Sequence, residues 1–301
     1  TRYSPNKIPR GIRERERAKT KKKKERILFF NNKWKFLFAK MDTFVDWLTP
    51  AFVAKNSPSL TATIIGTIPW LLYYSLTYFI AGVVGPKLFS HCAKKEGADL
   101  SLWKAYVNSM LNAIFITPLA WQTGMHKTDI GFREVSPLST LCCHSFLGYI
   151  IWDWILIIRY RKEWKNMSLY HLHHAAVVLG WGASVITGFG HNTVVPALLL
   201  EGTGPFTNGR WFLSQSGFKD STLYLVNGIC MVLSFFILRV VFNFYLCIQR
   251  LIIQREEFSS ASVPLQILLI CLYVVNLMLQ LTWFKKILSG AIALLRPKKA
   301  A

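Results

Sequence analysis

PALLLEGTGPFTNGRWF, residues 196–212, sets an acid, Glu201, and a base, Arg210, inside an otherwise apolar run. A bilayer tolerates such charged groups only where they face one another or a cavity. Prolines and glycines also interrupt the backbone of this stretch. Broken backbone at membrane depth must face protein or water rather than lipid. We therefore predict that the stretch lies inside a bundle of membrane helices.

The composition agrees with a polytopic membrane protein. Of the 301 residues, 52% are hydrophobic and only 17% are charged, a balance outside that of ordinary soluble domains. The formal net charge is +21, and residues 1–40 contribute more than half of it with 15 basic and 3 acidic residues. The apolar run after Arg26 is not followed by a small-residue cleavage site, so we expect no secretory signal peptide.

The N-terminal part of the chain divides into two predicted segments. Residues 1–26 form a polybasic arm with too few apolar residues to fold alone. The arm could anchor on anionic lipid, lie across an acidic protein or RNA, or remain a solvated tail that helps to set topology. Residues 27–54 mix aromatic residues with lysines, which predicts an amphipathic helix at the membrane interface.

Residues 59–293 form the predicted transmembrane domain, and residues 294–301 form a basic C-terminal end. About 20 helical residues cross a bilayer, and runs near that length predict an all-α bundle of six to seven transmembrane helices. Their bounds are 59–85, 104–122, 138–160, 168–188, 192–216, 221–249 and 263–293.

The topology depends on the fifth of these runs, which is the broken one. If the positive-inside rule placed both basic ends of the chain on one side, the number of crossings would be even and the broken run re-entrant. We expect the N-terminal arm on the cytosolic side, or on the internal side of an organelle, and leave the C-terminus open.

Ionisable residues are rare within the predicted spans. Each costs about 2.5–3.5 kcal/mol at the centre of a membrane helix unless it is paired or hydrated, so we expect them to converge inside the bundle. One predicted pair joins Glu201 to Arg210 or Arg239, and another joins Asp153 to a histidine. Helical spacing also predicts shared faces for His171 with His174 and for Arg239 with Asn243.

The histidines leave two interpretations open. His173 or His174 could act as a general base, or the histidines could hydrogen-bond inward and fix helix packing. No acid stands at a matching helical spacing beside them, so we predict neither a metal site nor a cofactor.

Several motifs follow one another at family-like spacings: YIIWD at 149–153, the pair His173 and His174, LEGTGPFTNGRWF at 200–212, Asn227 with Gly228, and FFILR at 235–239. Together they resemble the TLC domain family, which includes the ceramide synthases and the translocating-chain-associating membrane protein, and within it the TLC domain-containing protein 4 branch. The resemblance covers about residues 60–293.

The resemblance implies a barrel of about six helices around a lipid-accessible cavity. The residues expected to line it are Asp153, His171, His173, His174, Glu201, Asn208, Arg210, Asn227, Arg239 and Asn243. Ceramide synthases use histidines and a downstream His-Asp element for acyl transfer. Glu201 and the PFTNGRWF run stand in place of that element here, which argues against ceramide synthesis.

Three functions follow as hypotheses. The first is a membrane protein that binds or organises lipid, with a phospholipid or acyl chain in its cavity. The second is an accessory subunit that contacts other proteins through residues 1–54, and the third is a histidine-dependent acyltransferase. We do not expect nucleic acid as a partner. The resemblance implies the endoplasmic reticulum or another endomembrane, whereas the basic composition also suits a mitochondrial or other organellar inner membrane.

Overall fold

A computed structural model describes residues 58–89, 98–125, 131–164 and 166–295. The predicted basic arm, the interfacial helix and most of the basic C-terminal end lie outside these residues. The described part is an all-α membrane bundle, and its helices are α1 (Leu60–Leu88), α2 (Ala98–Met125), α3 (Pro137–Arg159), α4 (Ser168–Thr187), α5 (His191–Ala197), α6 (Gly204–Gln215), α7 (Thr222–Ile253), α8 (Arg255–Ser259) and α9 (Val263–Leu295).

Local sequence fixes the ends of several helices. The Ser59 hydroxyl accepts a hydrogen bond from the backbone N–H of Ala62 and caps α1. Ser136 and Ser139 form a reciprocal capping box at the start of α3, which satisfies backbone donors that a helix leaves unpaired. Gly188 and Gly190 hold φ angles of 66° and 87°, where glycine is favoured, and they make the tight turn from α4 to α5.

The broken stretch runs through the bundle in three pieces. α5 leads into a 3-10 turn at Leu198–Thr203, and α6 then starts at Gly204. Pro205 has no N–H to donate, so it suits the first turn of a new helix. The 3-10 turn carries Glu201 and therefore sets the direction in which its carboxylate points.

The described helices make seven passes between two ends of the bundle. At the Pro58 end, Gly188 packs against Pro58 and the rings of Phe132 and Phe189 stack at 4.9 Å. At the Trp103 end, the Trp103 ring lies 5.9 Å from that of Phe89 and 6.2 Å from that of Phe212. Because the broken stretch completes a pass, α1 begins and α9 ends at opposite ends of the bundle. These seven passes do not give the even number of crossings that both basic ends on one side would require.

Four described helices, α1, α3, α7 and α9, are long and apolar enough to cross a membrane. α1, α7 and α9 expose large apolar side chains on their outer faces, among them Phe79, Ile237 and Met278. Such continuous apolar surface is typical of lipid contact. The predicted spans at 104–122 and 168–188 are helical too, but they carry the asparagines and histidines that point inward and are more polar for that reason.

Six of the seven passes surround an interior cavity. Its lining comes from α2, α3, α4, the broken stretch, α7 and α9. α1 packs outside this ring, against α2 and α3. Within α7, the segment Phe235–Phe242 is a π-helix, a form that is often found at functional sites, and it carries Arg239.

Candidate functional site

The large cavity has a volume of about 390 Å³ and lies inside the ring of six passes. Tyr149, Tyr170 and Phe235 give it aromatic walls, while Asp153 and Glu201 bring carboxylates to its surface. The cavity extends to the Trp103 end, where Trp164 and Lys286 are among its lining residues. A mostly apolar cavity of this size with a few polar groups is typical of a small-molecule site.

Glu201 and Arg239 form an ion pair at the inner end of the large cavity. Arg239 Nη2 donates to Glu201 Oε1 at 3.2 Å. Arg239 Nε donates to Thr203 Oγ1 at 2.8 Å and to the Leu200 carbonyl at 3.1 Å. These bonds join the π-helix of α7 to the 3-10 turn, because all three acceptors, the Glu201 carboxylate, the Thr203 hydroxyl and the Leu200 carbonyl, belong to residues 200–203.

A chain of amides continues from this pair on both sides. Arg239 Nη1 donates to Gln280 Oε1 at 3.4 Å, Gln280 Nε2 donates to Asn276 Oδ1, and Asn276 Nδ2 donates to Asn243 Oδ1. On the other side, Asn112 Nδ2 donates to Glu201 Oε2 at 3.4 Å, and its own Oδ1 accepts from the Tyr74 hydroxyl at 3.1 Å. The buried charges therefore sit in an extended hydrogen-bond network.

Both ring nitrogens of His174 are engaged. Nδ1 lies 2.7 Å from the Tyr170 carbonyl oxygen and Nε2 lies 2.9 Å from Asp153 Oδ2. A carbonyl oxygen only accepts, so Nδ1 must carry a proton. A proton also lies between Nε2 and the Asp153 carboxylate, bonded to one of these two groups and hydrogen-bonded to the other. His174 therefore has no free lone pair to offer, and its role is to hold its position beside Asp153.

His173 contrasts with its neighbour. Its ring lies 5.4 Å from that of His174 and 5.3 Å from that of Trp283, in edge-on geometry. It lines the large cavity and also a second, smaller one. Among the described residues, no side chain or backbone group hydrogen-bonds to its ring. His173 is therefore the histidine of this pair whose ring nitrogens have no hydrogen-bond partner among the described residues.

The small cavity has a volume of about 90 Å³ and adjoins the large one. The two share His173, Glu201 and Arg239 in their linings. Most of the remaining wall of the small cavity is aliphatic, and its polar lining includes Asn243 and Tyr273. The ion pair therefore stands at the boundary between two chambers.

The comparisons with known proteins agree with this arrangement. A family model described as the TLC domain matches residues 100–289 of the chain. The chain belongs to the TLC domain family. The matched residues run from α2 to α9, so the TLC domain contributes the whole lining of both cavities, and α1 lies outside it.

Individual relatives place the chain near one branch of the TLC domain family. TLC domain-containing protein 4 of Homo sapiens is 28% identical over 173 residues, which cover 56% of this chain and 64% of the human protein. TLC domain-containing protein 4-B of Xenopus laevis is 38% identical over 99 residues, 31% of this chain and 36% of its own length. The chain thus spans less than two thirds of these two relatives.

A longer match is that to TLC domain-containing protein 4 A of Dictyostelium discoideum. It is 26% identical over 232 residues, 73% of this chain and 86% of that protein. These relatives support the TLC domain-containing protein 4 branch. No solved structure matches the chain.

The predicted site residues of the TLC domain fall into two groups. Seven of the ten line one or both cavities: Asp153, His173, His174, Glu201, Asn208, Arg239 and Asn243. Asn208 also donates to Ser109 Oγ on α2 at 2.9 Å. His171, Arg210 and Asn227 are in neither lining. His171 Nδ1 accepts a hydrogen bond from Trp154 Nε1 at 3.1 Å instead.

Arg210 and Asn227 join α6 to α7. The Arg210 guanidinium lies 3.9 Å from the centre of the Tyr224 ring, and its Nη1 donates to the Tyr224 carbonyl. Asn227 Nδ2 donates to the Phe206 carbonyl at 2.9 Å. Of the two predicted partners for Glu201, the structure thus pairs it with Arg239 and not with Arg210.

Sequence reasoning missed several polar residues of the buried hydrogen-bond network. They include Tyr74, Asn112, Thr203, Asn276 and Gln280. A signal was present for the amides, because Asn108 and Asn112, and likewise Asn276 and Gln280, are spaced by four residues within apolar helices. Among the described residues, no group of three His, Cys, Asp or Glu side chains is placed to hold a metal ion.

Proposed function

We propose that this protein binds an amphipathic membrane lipid, with the lipid chain in the large cavity. The single observation that carries the proposal is the large cavity itself, which combines aromatic walls, an interior ion pair and a lysine at the Trp103 end. Apolar walls favour a chain, because each buried CH₂ gains about 0.8 kcal/mol. Lys286 at the cavity's end favours an anionic headgroup there.

The electrostatics of the cavity support a chain inside and the headgroup outside. Arg239 is already neutralised by Glu201, and His174 is already paired with Asp153. A second anion beside these two pairs would lose its hydration and find no free cation with which to pair, which is costly. The anionic end of the lipid therefore belongs near Lys286 and the chain belongs between the helices.

Lipid retained through purification tests this proposal. We expect mass spectrometry to find one lipid class enriched over the bulk membrane in the wild-type protein. Thr207→Phe, which adds a ring inside the large cavity, should reduce that enrichment several-fold. Thr282→Phe is the matched control, since Thr282 is exposed on α9 and outside the cavity lining. Equal lipid content in all three proteins would refute the proposal.

A second candidate function is histidine-dependent acyl transfer, favoured by the free ring of His173 at the junction of the two cavities. In that reaction His173 would take the proton from an acyl acceptor. His174, whose ring nitrogens are both engaged by Asp153 and Tyr170, would position the His173 ring through the edge-on contact between the two rings.

Acyl transfer from acyl-CoA, assayed in reconstituted protein, tests this function. We expect His173→Ala to abolish transfer without loss of folding. His171→Ala is the matched control, because that ring contacts Trp154 and not the cavities, and it should remain active. No transfer by the wild-type protein, or full activity of His173→Ala, would exclude the reaction.

A further inference from the structure

The small cavity contains hydrogen-bond donors that have no acceptor. Asn243 is only 1% exposed, and its Oδ1 accepts from Asn276, but its Nδ2 has no partner among the described residues. The indole N–H of Trp181 is likewise buried without a partner there. The Tyr273 hydroxyl forms no hydrogen bond of ordinary geometry. All three residues line the small cavity.

These donors come from three different helices. Trp181 belongs to α4, Asn243 to α7 and Tyr273 to α9, so no local capping or turn geometry explains them. Buried polar groups in folded proteins are nearly always hydrogen-bonded. The Asn243 and Trp181 donors have no partner among the described residues, and the Tyr273 hydroxyl has only a poorly oriented contact with Thr193. These groups therefore indicate an acceptor that the described residues do not supply.

The chemistry of the small cavity's walls favours a neutral oxygen on an apolar chain as this acceptor. Among the described residues of this lining, Arg239 is the only arginine or lysine and is already paired with Glu201, so a carboxylate would find no free guanidinium or ammonium group there. The rest of the wall is largely aliphatic, including Val177, Leu246 and Leu272. A cavity of about 90 Å³ is smaller than the roughly 150 Å³ that admits benzene, which favours a slim chain.

The dimensions agree with a chain that enters from the large cavity. Tyr273 and Lys286 are 13 residues apart on α9, which corresponds to about 20 Å of helix axis. One lipid chain takes up about 15 Å, half of the bilayer core, so only a chain more extended than in the bilayer reaches from Lys286 to Tyr273. We propose that the small cavity recognises the oxygenated far end of a lipid chain, a hydroxyl or carbonyl that accepts hydrogen bonds from Asn243, Trp181 and Tyr273.

This inference rests on the proposed lipid binding and makes a separate prediction about selectivity. The probes are ω-hydroxypalmitate and palmitate, which share a head and a chain and differ only at the far end. We expect the wild-type protein in detergent to bind ω-hydroxypalmitate about tenfold more tightly, the usual effect of one net hydrogen bond.

Matched tyrosine variants assign the effect to the small cavity. Tyr273→Phe keeps the ring and removes the hydroxyl, so the preference should fall several-fold while palmitate affinity stays unchanged. Tyr245→Phe makes the same change on the exposed face of α7 and should leave the preference intact. A variant that also removes a second donor, Tyr273→Phe with Trp181→Phe, should reduce the preference further and leave only the contribution of Asn243.

The outcomes separate this inference from the function on which it rests. Equal affinity for the two probes would overturn the selectivity and leave lipid binding in place. A preference as large in the double variant as in the wild type would overturn the assignment to these donors. If neither probe binds and no lipid co-purifies, the selectivity and the proposed function fall together.

Discussion

Arg239 is the central residue of the hydrogen-bond network inside the bundle. Its guanidinium donates to Glu201, Thr203, the Leu200 carbonyl and Gln280. Its side chain is 12% exposed and that of Glu201 is 14% exposed, so water screens the pair little. A buried charge that loses its partner costs far more than a surface charge, because little solvent replaces the lost interaction.

Removing one member of this pair should therefore destabilise the bundle strongly. We expect Glu201→Gln to lower the free energy of unfolding by about 3–5 kcal/mol, since Arg239 would stay buried without its counterion. The double variant Glu201→Gln, Arg239→Met should recover much of that loss. Thermal unfolding in detergent measures both effects.

Glu256→Gln provides the control, because Glu256 is exposed on α8 and its loss should change stability by less than about 0.5 kcal/mol. If Glu201→Gln proved as stable as Glu256→Gln, the ion pair would not hold the bundle as described.

Asn208 and Arg210, two residues of the PFTNGRWF run that were both expected to line the cavity, lie on opposite sides of α6. Asn208 faces the cavity and binds Ser109, whereas Arg210 faces α7. Two residues along a helix amount to about 200° of rotation, which explains their separation. The sequence predicted that Glu201 has a buried basic partner, but it could not choose between Arg210 and Arg239, because the choice depends on how three elements pack.

At the scale of elements, α6 and α7 are fastened together by side chains on their facing surfaces. Gly228 allows the close approach, since a Cβ at this position would lie 2.5 Å from Arg210 Nη1. Arg210 then stacks on Tyr224, and Asn227 binds the Phe206 carbonyl. The PFTNGRWF run therefore serves two purposes, one toward the cavity and one toward the neighbouring helix.

Replacing the stacked guanidinium should loosen this contact without emptying the cavity. We expect Arg210→Lys to lower stability by about 0.5–2 kcal/mol, because an ammonium does not stack on a ring as a planar guanidinium does. Bound lipid should be unchanged, since Arg210 lies outside both cavity linings.

Thermal unfolding and lipid analysis on the same sample check this prediction. Arg255→Lys, an exposed arginine on α8, is the control and should behave as the wild type. Loss of bound lipid in Arg210→Lys with unchanged stability would show that Arg210 acts on the cavity instead.

At the scale of the whole molecule, the two ends of the described bundle differ in charge. The Trp103 end carries the basic residues Arg159, Arg161, Lys162, Lys285 and Lys286 together with the acids Glu163 and Asp220, and Lys286 lines the large cavity. At the Pro58 end, Arg133 and Arg255 are accompanied by Glu134, Glu256 and Glu257. Counted over the described residues alone, the positive-inside rule places the Trp103 end on the cytosolic side. This opposes the expected cytosolic position of the N-terminal arm, which precedes the Pro58 end in sequence.

Cysteine labelling tests both the orientation and the number of passes. In a variant without native cysteines, a single cysteine at Lys162 or Lys219 should react with a membrane-impermeant maleimide from the cytosolic side. A cysteine at Glu134 or Glu256 should react only from the other side. Reaction of residues 134 and 162 from the same side would contradict the pass that α3 makes between them.

The sequence by itself determined the class of the molecule. Lipid offers no hydrogen-bond partner, so the backbone groups of an apolar run of bilayer length must pair within the run itself. A helix meets this requirement. The same physics required the polar residues inside these runs to face inward, so Asp153, Glu201 and Arg239 could be found without coordinates. The identity of the family followed from the order and spacing of its motifs.

Only the tertiary structure decided the partners and the cavities. A side chain's partner depends on the rotation and depth of two helices relative to each other, and a 3-10 turn or a π-helix shifts both by amounts that no local pattern reveals. The structure therefore chose Arg239 over Arg210, left His173 free while engaging His174, and carried residues 196–212 through the bundle. It also gathered unpaired donors from three helices around one small cavity, because their separation in sequence conceals their proximity in space.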